Sequence, residues 1–322
     1  MLSIARIRTH RAIDETVQQW PSRNVALFLH LVRHVAVIAA ILWVPLNTPL
    51  CLLLGVGFLV RMWAMEAVNH RYFAHRSYAT SRLFQFLLAL LASQAACRGP
   101  LWWAYVHRRH HRSADTIEDP HSPVTHSFLY AYFLWLTVPE NRCTDLSHVE
   151  DFSKYPELCW LNKHSDDIAF GAGAALIACA GHFGVFGSSI DGWSALLWGV
   201  FTPAVLVLHC TGLLSTMCHL RTLPGGYRRF DTNDQSVNRP ILALLTLGAG
   251  YHNNHHRFPA FARTSFSWYE IDLCFQILRV LQAIGLVWDV RGSFAAKSLL
   301  QTRHIEDLVC RDAPMLTTLE NV

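Results

Sequence analysis

Charge is scarce in this chain. Of its 322 residues only 16% are Asp, Glu, Lys or Arg, while 52% are hydrophobic. The mean hydropathy is positive, at +0.22, a balance that excludes an ordinary soluble protein of this length. The nine cysteines include no C-x-x-C pair. Cys51, Cys179, Cys210 and Cys218 sit inside apolar runs as small hydrophobes, so no disulfide framework is implied. A G-x-G-x-x-G nucleotide loop and a Cys₄ iron–sulfur pattern are also missing. The formal charge of +4 is not gathered into one basic stripe, which argues against nucleic acid as a partner.

What the chain has instead is clustered histidine. His107-Arg108-Arg109-His110-His111 and His252-Asn253-Asn254-His255-His256 share one internal spacing. Positions i, i+3 and i+4 lie on one helix face, so each triplet of rings can converge on a point. A third box, His70-Arg71-Tyr72-Phe73-Ala74-His75, has i, i+5 spacing. On an ideal helix that places the two rings about 140° apart, so they are expected to serve two ions or to sit where a helix ends. A lone histidine is usually a surface or satisfied core residue. Three boxes carrying eight histidines point to a metal, and imidazole suits iron, copper, zinc or nickel.

Hydropathy predicts a polytopic, all-α membrane protein. Residues 26–68 read as a transmembrane hairpin whose turn, Pro45-Leu46-Asn47-Thr48-Pro49, lacks positive charge, whereas Arg71, Arg76 and Arg82 follow its second arm. By the positive-inside rule the turn faces outward and the first box faces the cytosol. The apolar stretch 83–96 is short and reads as interfacial or re-entrant. Residues 69–166 form a cytosolic region with the first two boxes, and 168–218 a second hairpin, its spans covering 168–186 and 193–218. Residues 219–290 form a cytosolic region with the third box, including an amphipathic helix over 268–287, and 291–322 a polar tail. The N-terminal segment 1–25 is unlike a cleavable signal peptide and is expected to stay cytosolic, as is the C-terminus. An even number of crossings then separates every pair of histidine groups, as one shared site requires.

The fourth span delivers His219 to the same face, giving nine candidate ligands, too many for one ion and suitable for two. A nearly all-imidazole set with open positions suits iron that activates O₂ better than a closed tetrahedral zinc. A substrate arriving from the bilayer would be an acyl chain or another long hydrocarbon.

The segments HRYFAHRSYATSR (70–82), RGPLWWAYVHRRHHRSADTIEDPHSP (98–123) and GYHNNHHRFP (250–259) resemble the membrane-bound fatty acyl desaturases of the stearoyl-CoA desaturase type, especially their shorter microbial members. The resemblance covers about residues 50–290. It implies a single desaturase domain of four transmembrane helices, with a cytosolic helical cap holding two irons and admitting a kinked acyl tunnel. The family's ligands fall on His70, His75, His107, His110, His111, His219, His252, His255 and His256. The implied reaction removes two hydrogens from adjacent methylenes with O₂ as co-substrate, by default at Δ9 of a saturated C16 or C18 acyl-CoA. Electrons would come from a separate protein such as a ferredoxin or cytochrome b5 with its reductase.

Asp115, Glu118, Asp119 and Asp231 are candidates to accept N–H bonds from ligand imidazoles, and His121 to stand beside them or contact substrate. Trp102 and Trp103 are candidates for the acyl channel, or for interface anchors. The chain departs from the family pattern at Ser215, where Asn is usual and can hold a metal-bound water, and at Ala249, where Glu is usual. Two other readings use the same boxes: a related di-iron hydroxylase or hydrocarbon oxygenase, which would release an alcohol, and a transition-metal transporter. The transporter predicts polar or metal-binding residues along the spans, whereas the second hairpin carries only His182 and His209.

Overall fold

The computed structural model describes residues 16–19 and 23–292. The predicted cytosolic placement of residues 1–15 and of the tail beyond 292 concerns residues outside that set. Among the described residues three helices are long and apolar enough to cross a membrane: Arg23–Trp43, Thr48–Ala74 and Gly192–Met217. The first, α1 (Arg23–Trp43), exposes Val35, Ile38, Ile41 and Leu42, an apolar face suited to lipid. The turn after it is closed by Asn47, whose side chain accepts the Leu50 N–H at 2.9 Å and caps α2 (Thr48–Trp63).

The second helix does not stop near residue 68. α2 runs straight into a π-helical segment, Ala64–Ala74, that is buried throughout and contains most of the first histidine box. The spanning helix therefore carries its own metal-site residues.

The expected span over 168–186 is not reproduced at spanning length. The helix there, α5 (Phe170–His182), follows a π turn, Ser165–Ala169, that carries Asp166 and Asp167. Its 13 residues continue the five of that turn, a run that is not among those both long and apolar enough to cross. The hairpin itself is present. A Cβ on Gly181 would come within 2.7 Å of Ala195 Cβ, and one on Gly192 within 2.7 Å of the Ala178 carbonyl, so only glycine permits this backbone approach. Four spanning helices were expected; among the described residues three have the length.

Between the hairpins lie α3 (Arg82–Ser93) and α4 (Pro100–Ser113). α3 covers much of the stretch expected not to cross, and its 12 residues are too few to span. It buries Leu88, Ala89 and Ala92 and exposes Leu83 and Leu87. α6 (Thr202–Met217) completes the last long helix. His209, inside it, accepts the Tyr132 hydroxyl at Nδ1 (2.6 Å) and meets His34 of α1 through Nε2 at 3.1 Å. That network supplies partners for a polar residue inside an apolar helix.

The third box forms the short helix α7 (His252–Arg257), and α8 (Leu273–Ala283) follows. The amphipathic helix expected over 268–287 is real but shorter. It buries Cys274, Phe275 and Leu278 and leaves Ile277 and Val280 exposed. Two small antiparallel pairs tie distant segments together at the histidine end: β1 (Val17–Gln19) with β3 (Cys143–Asp145), and β2 (Ala79–Thr80) with β4 (Val287–Trp288).

Candidate metal centre

All nine histidines singled out in the sequence converge, in two groups. His70, His75, His107, His111 and His255 form one, and His110, His219, His252 and His256 the other. α4 feeds both, because His107 and His111 lie one turn apart on one line while His110 points to the neighbouring group.

The i, i+5 box works through the π-helical turn. The His75 N–H bonds to the His70 carbonyl at 3.2 Å, the i→i+5 pattern that stacks residues five apart. The two rings then approach to 5.0 Å between centroids. The ideal-helix reading, with the rings splayed toward different ions, is thereby corrected. They join one group, and His75 does sit where the helix ends.

In both groups the Nε2 atoms face inward. In the first, the distances are 2.9 Å for His70–His255 and for His255–His111, and 3.0 Å for His111–His107 and for His107–His75. Two nitrogens about 2.1 Å from one ion lie about 3.0 Å apart at a right angle and about 3.4 Å at the tetrahedral angle. The group of five thus has the spacing of right-angled donors and not that of a tetrahedral zinc. In the second group His219–His252 and His252–His256 are 3.0 Å, and His256–His110 is 3.4 Å.

Carboxylates fix the outward nitrogens. His70 donates Nδ1–H to Glu66 (3.0 Å), His110 to Asp119 (3.0 Å), His219 to Asp115 (2.8 Å) and His256 to Asp234 (2.7 Å). An imidazole that gives up its Nδ1 proton in this way leaves a lone pair on Nε2. With their Nδ1 protons so engaged, His110 and His256 turn Nε2 toward each other at 3.4 Å, an arrangement that a shared cation satisfies. The residues present fit a pair of metal ions.

Electrostatics agree. Burial, reinforced by neighbouring imidazoles, holds His75, His107, His111, His252 and His255 well below the ordinary histidine range, and His256 at about 4, so these rings stay neutral. At the His110–Asp119 pair burial opposes charge on both partners, but their attraction prevails, raising His110 and lowering Asp119.

A sequence profile described as fatty acid desaturase matches residues 43–288. The chain belongs to the fatty acid desaturase family. It is 33% identical over 223 residues to the sn-1 stearoyl-lipid 9-desaturase of Anabaena variabilis, covering 69% of this chain and 76% of that protein. It is 33% identical over 225 residues to the Delta-9 acyl-lipid desaturase 2 of Arabidopsis thaliana, covering 69% and 68%. It is 29% identical over 273 residues to the hex-5-enoyl-(acyl-carrier protein) acetylenase of Moorena producens (strain JHB), covering 80% and 81%.

The desaturase places the remaining candidates unevenly. Asp115 and Asp119 hold ligand-group imidazoles, as above. Glu118 instead accepts the Thr116 hydroxyl at 2.8 Å, and Asp231 is fully exposed beside Arg228; neither contacts one of the nine rings. The carboxylates that sequence reasoning missed are Glu66 and Asp234. Glu66 sits one turn before His70, an i, i+4 signal readable on a helix. Asp234 lies three residues beyond Asp231 in the same loop, and nothing in the spacing separates the two.

His121 stacks on His110 with ring centroids 4.4 Å apart. Trp102 and Trp103 are buried rather than interfacial anchors. A cleft lined by His70, His107, His110, His252, Trp103 and Ser215 adjoins a second one. Both share Trp103, Thr211 and Ser215, and Trp102 lines the second.

Asp234→Asn is expected to weaken metal binding about 10–100-fold, while Asp231→Asn leaves it unchanged. Metal content after dialysis against graded chelator distinguishes them, and equal losses in the two variants would refute the assignment.

Proposed function

We propose that this desaturase removes two hydrogens from adjacent methylenes of a saturated long-chain acyl group, Δ9 by default, leaving a cis double bond. The reading rests on one observation, the nine converging imidazoles with right-angled spacing in the group of five. The nine histidines hold two irons, which when bound supply the oxidation with O₂ as co-substrate. The chain's own residues position and seal. Trp103, Thr211 and Ser215 line the passage along which the acyl chain lies beside the imidazoles. Electrons arrive from a separate carrier protein. The short helix α5 and its partner complete a fourth crossing, with the histidine end and both termini in the cytosol.

For the acyl carrier we keep CoA as the working substrate; the lipid named in two of the relatives is the competing one. The test supplies purified protein in vesicles with an electron donor and either palmitoyl-CoA or a palmitoyl glycerolipid, and maps product double bonds by mass spectrometry. A Δ9 mono-unsaturated product from the CoA ester supports the reading, and product from the glycerolipid alone reassigns the carrier. A hydroxylated product from either substrate would replace desaturation by hydroxylation.

A further inference from the structure

The carboxylates around the two imidazole groups are unequally shared. In the group of four, three rings donate Nδ1–H to an aspartate: His110 to Asp119, His219 to Asp115 and His256 to Asp234. Among the described residues, only His70 in the group of five has such a partner, Glu66, which is 2% exposed and makes no other hydrogen bond with them. Asp115, by contrast, also accepts the Gln235 N–H and the Ser122 hydroxyl, and Asp119 the N–H groups of Asp115 and His121.

Neighbouring cations do not restore the balance. Arg228 lies 3.9 Å from Asp234 and offsets at most one of the three. On the other side Arg71 is engaged by Asp272 and Arg108 by Asp151, so neither bonds to Glu66.

We propose that the two metal positions are unequal: the four-imidazole position fills first and holds its ion more tightly, and the five-imidazole position is the exchangeable one, governed by Glu66. This rests on the reading of the nine histidines as a two-metal centre. A carboxylate behind a ligand imidazole strengthens that ligand, each such partner being worth about 10–100-fold in affinity. Two extra carboxylates multiply to roughly 10²–10⁴-fold, whereas the fifth imidazole adds one neutral donor against them. The same charges favour the more highly oxidised ion at the four-imidazole position. A partly loaded preparation is then a one-metal protein with the five-imidazole position empty, and added Fe²⁺ fills it.

The test titrates the metal-free full-length protein in detergent with Co²⁺, following visible absorption and equilibrium binding. Two phases separated by at least ~10-fold are expected, the first with the intense absorption of low-coordinate Co²⁺. Asp234→Asn weakens the first phase, with Asp115→Asn as a second variant should that protein misfold; Glu66→Gln, which can still accept the His70 N–H, weakens only the second. A single phase of two equal sites in the unmodified protein, or Glu66→Gln acting on the tighter phase, overturns the inference and leaves the metal centre standing. No Co²⁺ uptake by the unmodified protein overturns the metal centre and the inference together.

Discussion

His110→Ala is expected to abolish double-bond formation and to leave one metal ion per chain instead of two. His110 is 1% exposed on α4 and is one of the four histidines whose nitrogens converge in the group of four. Its loss also removes the proton donor from buried Asp119, which keeps only the N–H groups of Asp115 and His121, and takes away the ring on which His121 stacks. Removing even an outer partner of a metal ligand costs about 10–100-fold, so losing the ligand should exceed the upper end of that range. Elemental analysis of iron per chain, paired with fatty-acid methyl-ester profiling, checks both halves. A variant that retains two irons and normal product would remove His110 from the centre.

Arg71→Leu is expected to destabilise the protein by about 3–5 kcal/mol, the cost of leaving a buried charge without its partner. Arg71 is 1% exposed; its guanidinium meets Asp272 at 2.9 Å and also donates to the Ala262 carbonyl. Asp272 would retain the Thr264 N–H and hydroxyl and the Phe275 N–H, so it would stay folded in but carry an uncompensated charge. Because Arg71 belongs to the π-helical segment and Asp272 caps α8, the pair joins the first histidine box to the last helix. A fall in Tm of roughly 10 °C follows for a chain of this size. Arg71→Leu combined with Asp272→Leu should recover most of it, since replacing both partners by apolar groups is often close to neutral. A single variant costing under about 1 kcal/mol would show that the pair behaves like a surface bridge.

Much of the site is legible in the sequence because metal ligation is written in spacing. The triplets at 107, 110, 111 and 252, 255, 256 need only the geometry of an α-helix. The box at 70 and 75 does not yield to that geometry, because its ring alignment depends on a π-helical turn that no residue type announces. Outer carboxylates are less legible still. Glu66 was readable from helix periodicity, but Asp234 and Asp231 share one irregular loop, and only the fold decides which of them reaches His256. The span expected over 168–186 rests on apolar composition alone, and the helix found there falls outside the three that are both long and apolar enough to cross. Asp166, which pairs with Arg33 at 3.2 Å, and Asp167 occupy the turn where the helix would have had to begin.

The uninterrupted run of helix from Thr48 to Ala74 also makes the protein a gauge of its own bilayer. At 1.5 Å per residue over the α-helical part and less over the wider π-helical turns, His70 stands roughly 30 Å along the axis from Thr48, about the thickness of a hydrocarbon core. The imidazoles are thus rigidly indexed to the far end of that helix through one rod. A thinner or thicker membrane must tilt that rod or deform around it, carrying the reactive centre to a new depth relative to the acyl tails. Lipid composition, which such an enzyme alters, would thereby feed back on where its own centre sits.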